Sequence, residues 1–184
     1  MERMFEVCCG SYDDALASER GGASRIELNS ALYLGGLTPS LASLILTKKN
    51  TNLKVITMVR PRGAGFCYTE EEFETMLCDT RLMMENGADG IAFGCLTKDG
   101  EIDVEQTKQI IDIIQEYNGE VVFHRAFGCV KNADEAMEIL ISLHVDRVLT
   151  SGLKAKAMYG IDMIAHLQEK YGDKIQILAG SGMN

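Results

Sequence analysis

Short apolar, β-rich runs recur along the chain at roughly 20- to 35-residue intervals. They are Phe5 to Cys8, Arg25 to Leu28, Lys54 to Val59, Gly90 to Phe93, Val121 to His124, Arg147 to Thr150 and Ile175 to Leu178. Seven strands are predicted. The amphipathic segments between them carry helix start signals. Ser11 before Asp14, Thr69 before Glu72 and Asn132 before Glu135 have capping-box-like spacing, and Thr38 precedes Pro39 at an expected first helical position. Strands that alternate with helices run parallel, joined by right-handed crossovers. No glycine-rich dinucleotide fingerprint follows the first strand, where Cys8-Cys9-Gly10-Ser11 stands, so a barrel is preferred to a Rossmann sheet. The predicted fold class is α/β, a TIM-type parallel βα barrel.

Three helix-to-strand passages resemble one another. They are Gly21-Gly22-Ala23-Ser24-Arg25-Ile26, Asn86-Gly87-Ala88-Asp89-Gly90-Ile91 and Leu143-His144-Val145-Asp146-Arg147-Val148. Glycine at the helix end supplies the left-handed cap in the first two. Repeated turns of this kind point to repeated βα units. With Asn184 following the seventh strand and the Ala179-Gly180-Ser181-Gly182 loop, residues 1–184 are expected to form a single domain truncated before an eighth unit. The first and seventh strands then become open edges bearing Phe5, Val7, Ile175 and Ile177, and a homo-oligomer formed through those edges is expected.

Composition narrows the function. The 184 residues are 46% hydrophobic, enough for one substantial core. A formal charge of -9, with no basic run to offset it, argues against nucleic acid and anionic membrane surfaces as partners. No stretch approaches the roughly 20 apolar residues of a spanning helix, nor does the N-terminus read as a leader, so a cytoplasmic protein is expected. Six cysteines without regular spacing read as reduced thiols rather than a disulfide framework.

In a barrel, chemistry gathers at the C-terminal ends of the strands. Alternation places Glu6 and Cys8 on one face of the first strand, and Arg25, Glu27 and Asn29 on one face of the second. Arg60 and Arg62 follow the third strand, His124 and Arg125 end the fifth, and Thr150 and Ser151 end the sixth. A carboxylate and an arginine inside a barrel can simply neutralise each other. Glu6 and Glu27, the arginines Arg60, Arg62 and Arg125, His124 and the two hydroxyls together exceed what packing needs, and they suit a small anionic ligand or a metal. Thiols at strand ends also suit Cu(I), which prefers soft donors, and Cys8 is the best placed because it shares a face with Glu6. As small buried hydrophobes the other cysteines need no function. His144 and His166 lie in helical segments and read as surface or helix-end residues.

The successive motifs Phe5-Glu6-Val7-Cys8, Arg25-Ile26-Glu27-Leu28, Gly35-Gly36-Leu37-Thr38-Pro39-Ser40, Arg60-Pro61-Arg62-Gly63, Phe123-His124-Arg125-Ala126-Phe127 and Leu149-Thr150-Ser151-Gly152 resemble the signatures of the CutC family, in order, from residue 5 to about 182. The resemblance implies a cytoplasmic βα barrel concerned with copper homeostasis, binding Cu(I) with Cys8 as one ligand. Some members carry a second cysteine where this chain has Asn29, a poor Cu(I) donor. Copper homeostasis through Cu(I) binding is the expected function, with an enzyme as the alternative. The Cu(I) is expected at the rim, bound through Cys8 and helped by another rim thiol or His124. The alternative is a lyase, isomerase or hydrolase in which Glu27 or His124 moves protons while Glu6, Arg60, Arg62, Arg125 and Ser151 contact a small anionic substrate.

Overall fold

The computed structural model describes residues 5–182, and strands alternate with helices throughout them. In chain order the elements are β1 (Val7–Cys9), α1 (Tyr12–Arg20), β2 (Arg25–Leu28), α2 (Leu41–Asn50), β3 (Lys54–Met58), α3 (Glu70–Glu85), β4 (Gly90–Phe93), α4 (Val104–Glu116), β5 (Glu120–Phe123), α5 (Ala133–Ser142), β6 (Arg147–Thr150), α6 (Ile161–Tyr171) and β7 (Gln176–Ala179). Strand order follows chain order, and the pairings are parallel. All seven predicted strands are present, with small shifts at their ends. β1 begins at Val7 rather than Phe5, because its ladder with β2 runs only from Val7↔Ile26 to Cys9↔Leu28. Phe5 and Val7 are exposed, whereas Ile175, whose amide bonds back to the Tyr171 carbonyl, is buried.

The start signals hold at Ser11, whose Oγ accepts the Asp14 amide at 3.1 Å, and at Asn132, whose Oδ1 accepts the Asp134 and Glu135 amides. They are displaced at α2. The helix begins at Leu41, capped by Ser40, whose Oγ accepts the Ser43 amide at 3.2 Å. Thr38 is occupied elsewhere: its Oγ1 accepts the Arg60 amide at 2.9 Å, and its own amide donates to the Arg60 carbonyl.

Four helices close in the same way. Gly22, Gly87, Asn118 and His144 all take positive φ, between 54° and 91°. The following amide then reaches the carbonyl five residues back in each case: Ala23 to Ser18, Ala88 to Met83, Gly119 to Ile114 and Val145 to Leu140, at 3.0–3.1 Å. This is the Schellman closure. His144 therefore holds a turn position that glycine fills elsewhere. Two residues further on, Asp89 and Asp146 accept the amides of Val55 and Val121 at 2.7 and 2.8 Å, stitching each turn to the start of the preceding strand.

The chain divides into two compact units. The first comprises the chain up to Ala64 with Glu70–Ala92 and Asp112–Glu120, and the second comprises Gly65–Thr69, Phe93–Ile111 and the chain from Val121 onward. Ile26, Leu28, Leu44, Ile56, Met76 and Ile91 are buried in the first; Phe93, Phe123, Phe127, Met137, Leu140 and Leu167 are buried in the second. Each fully buried side chain of this size contributes about 1.5–3 kcal/mol.

Within the first unit an ion network ties strand beginnings together. Arg25 Nε meets Glu6 Oε2 at 2.5 Å and Arg25 Nη2 meets Glu120 Oε1 at 2.9 Å, while Lys54 Nζ meets Glu120 Oε2 at 2.6 Å. Burial raises the Glu6 carboxyl, and Arg25 draws it back down. Removing one partner of a buried pair strands the other, so Arg25→Ala is expected to cost about 3–5 kcal/mol in urea unfolding. A loss of only about 0.5 kcal/mol would mean that the guanidinium behaves as a surface group.

Candidate functional site

Parallel register sets the candidate residues of the first unit in layers on one face of the sheet. Cys8 lies beside Glu27, Glu27 beside Ile56, and Ile56 beside Gly90. Glu6 and Arg25 lie two residues earlier along the strands, and Asn29 lies just beyond β2. The predicted alternation of Arg25, Glu27 and Asn29 therefore buries three polar side chains together.

Asn29 organises the middle of this group. Its Nδ2 donates to the Glu27 carbonyl at 3.1 Å, to Glu27 Oε2 at 3.3 Å and to Cys8 Sγ at 3.5 Å. Its Oδ1 rests against Gly36, where φ is +87° and a Cβ would collide with that oxygen. The Gly35-Gly36 motif therefore has a steric reason: only glycine allows the loop to approach the amide in this conformation.

Glu27 is the most perturbed carboxyl of this group. It is buried, and its acid is pushed up to about 7, first by desolvation and then by the charge of Glu6, against smaller lowering by Asn29 and by the Cys8 thiol. Oε2 is engaged; Oε1 is buried without a hydrogen-bond partner among the described residues. Buried polar atoms are nearly always satisfied, so such an oxygen marks either a protonated acid or a place for a ligand donor. Cys8 retains exposed surface, yet desolvation at its sulfur, reinforced by Glu27, pushes the thiol up to about 12. At neutral pH it is a protonated donor to Glu27, not a standing thiolate.

The arginines of this unit have protein partners. Arg60 is buried, and its Nη1 donates to the carbonyls of Leu34 and Gly36 at 3.0 and 3.1 Å, its Nη2 to that of Ala64 at 2.8 Å. Thr38 ties the Arg60 backbone to helix α3 by hydrogen-bonding Asp79, whose carboxyl burial raises. Arg62 makes a two-pronged pair with Glu72, at 2.5 and 2.8 Å. Sequence reasoning missed Thr38, Asp79 and Glu72 as supports. An acid in the first turn of the helix after the arginine motif was the available signal for Glu72.

In the second unit, His124 is buried and caps a 3-10 turn over Arg125–Cys129, with Nδ1 accepting the Ala126 amide at 3.2 Å. The Phe66 ring meets it edge-on at 5.1 Å. Arg125 is exposed. Ser151 is buried, and its Oγ donates to the Lys154 carbonyl at 2.5 Å, while Thr150 Oγ1 accepts the Gly152 amide, so these hydroxyls shape their loop. His166 pairs with Asp134 on the surface.

Among the described residues no three His, Cys, Asp or Glu side chains gather as a metal group. Cys9, the thiol next to Cys8, is buried and contacts Ser18 Oγ at 3.3 Å.

The CutC family model matches residues 3–184. A CutC family protein of Treponema denticola is 50% identical over 97% of this chain and 72% of its own length. The human copper homeostasis protein cutC homolog is 42% identical over 98% of this chain and 65% of its own length. The crystal structure of a Streptococcus agalactiae CutC superposes with a TM-score of 0.91 at 28% identity, covering 98% of this chain and 89% of that one. An aldolase superposes at 0.72 with 15% identity, a likeness of fold alone. These matches establish the parallel βα-barrel fold class.

The raised Glu27 acid has a consequence for stability. The folded chain holds this proton more tightly than the unfolded chain, so the carboxyl is harmless below about pH 4.5 and exacts its full penalty above about pH 7. A shift of that size corresponds to about 3 kcal/mol. Glu27→Gln is therefore expected to gain stability over wild type as pH rises from 5 to 8, by up to about 3 kcal/mol in urea unfolding. Parallel stability curves would show that Glu27 is not perturbed.

Proposed function

The chain belongs to the CutC family, and on that footing we propose that it carries a small-molecule site in which Glu27 transfers protons, making it an enzyme of lyase, isomerase or hydrolase type that acts on a small anionic substrate. The supporting observation is Glu27 itself, buried, pushed up to about 7, with Oε2 held by Asn29 and Oε1 without a partner among the described residues. A carboxyl poised there gives or takes a proton at neutral pH with little driving force lost, which is the requirement for general acid-base work. Asn29 fixes the carboxyl plane, Cys8 donates to the ionised form, and the Gly35-Gly36 loop, locked by Arg60, keeps Asn29 in place. No helix among the described residues is long and apolar enough to cross a membrane.

Copper is the second reading. Human and mouse relatives are named copper homeostasis proteins, and Cys8, a free cysteine that retains exposed surface, is the observation that favours it here. Cu(I) at this position has one soft donor and must displace the thiol proton to use it.

Thermal shift and anaerobic titration separate the readings. A substrate-like acid at about 100 times its Kd stabilises by about 2.7 kcal/mol, or about 5–10 °C in a chain of this size. Such a ligand is expected from a panel of small carboxylates and phosphate esters, with binding that changes between pH 6 and 8 in wild type and not in Glu27→Gln. No stabilising anion, or the same pH profile in both proteins, would contradict the proton-transfer reading. Stoichiometric Cu(I) uptake that disappears in Cys8→Ser would establish copper instead.

A further inference from the structure

We infer that His124 is locked as the neutral Nε2–H tautomer, which makes it a hydrogen-bond donor to an acceptor oxygen and removes it both as a Cu(I) ligand and as a general base. The lock is geometric. The Ala126 backbone amide can only donate, and it points at Nδ1 from 3.2 Å, so Nδ1 carries a lone pair and the ring proton of the neutral imidazole sits on Nε2. Protonating Nδ1 would set two donors against each other inside a buried turn, leaving the Ala126 amide unsatisfied.

The ring has little freedom to escape this arrangement. His124 is only 2% exposed and meets Phe66 and Phe123 edge-on, at centroid distances of 5.1 and 6.3 Å. Gly94 lies so close that a Cβ there would stand 2.7 Å from Nδ1 and 2.8 Å from Cε1. Ala126 and Phe127, the residues that follow in the capped turn, are themselves fully buried. A rotation that exposed Nδ1 would therefore break the cap and open the packing together.

A metal needs a lone pair, and a general base needs a vacant one. On His124 the Nδ1 pair is committed to Ala126, and Nε2 holds the proton. Whatever Nε2 meets, it meets as a donor. The partner class at this position is accordingly an oxygen of a carboxylate, carbonyl or phosphoryl group.

The test is long-range 1H–15N spectroscopy of the full chain with labelled histidine, the His124 signals being assigned by their loss in His124→Gln. At pH 8 a pyrrole-like Nε2 and a pyridine-like Nδ1 are expected, and one equivalent of anaerobic Cu(I) is expected to leave both unchanged. An Nδ1–H tautomer, or loss of the Nε2 proton on adding Cu(I), would overturn the inference. Two variants probe the lock without any ligand. His124→Asn keeps an acceptor oxygen for Ala126, and His124→Leu does not, so Asn is expected to melt several degrees above Leu. The reverse order would remove the Ala126 hydrogen bond as the restraint.

Discussion

A carboxyl group withdrawn from water and only half satisfied is the constraint around which the first unit is arranged. Glu27 stands in a sheet layer beside Cys8 and Ile56, and its ionisation must be supported by whatever that layer and its neighbours offer. They offer one amide and one thiol. Both lower the acid, yet desolvation and the charge of Glu6 outweigh them, and the balance falls near neutrality. The supports are then held in turn: Asn29 by the close approach of Gly36, the glycine loop by the Arg60 guanidinium, and the Arg60 backbone by Thr38. A chain of contacts several residues long keeps a single carboxyl at an unstable point in its titration.

The contrast with Arg25 shows why position along the strand matters. One layer away, Glu6 and Glu120 share Arg25 and Lys54 in a network with compensating charges. Charges matched in this way are structural, since each partner's desolvation is offset by the other. Among the described residues no cation approaches Glu27 in the same manner: its stabilising contacts are Asn29 and Cys8, both neutral. Two glutamates on adjacent layers thus take different roles, Glu6 as a counter-ion and Glu27 as a group whose proton is exchangeable near neutral pH.

Much of this was legible in the sequence. The period of apolar runs located all seven strands, and alternation alone placed Arg25, Glu27 and Asn29 on one face. The likeness among the helix-to-strand passages was real, and deeper than residue similarity: His144 and Asn118 adopt the left-handed conformation that Gly22 and Gly87 take more easily. What could not be read was how side chains spend their hydrogen bonds. Arg60 and Arg62 look alike in the sequence as anion holders; in the fold one clamps three carbonyls and the other pairs with Glu72. His124 looks like a base until the Ala126 amide is seen at its Nδ1. Such assignments depend on loops whose conformation is set by residues distant in sequence, as Thr38 shows by serving Arg60 and leaving the helix cap to Ser40.

The family assignment and the donor geometry bear on different questions. Identity over nearly the whole chain fixes what the protein is related to, whereas the chemistry rests on the state of one carboxyl. Titration of Glu27 by carboxyl 13C NMR, with its resonance identified by loss in Glu27→Gln, addresses that state most directly. A midpoint near 7 is expected from its burial beside Asn29 and Cys8; a midpoint near 4.5, the ordinary value for a solvated glutamate, would contradict it.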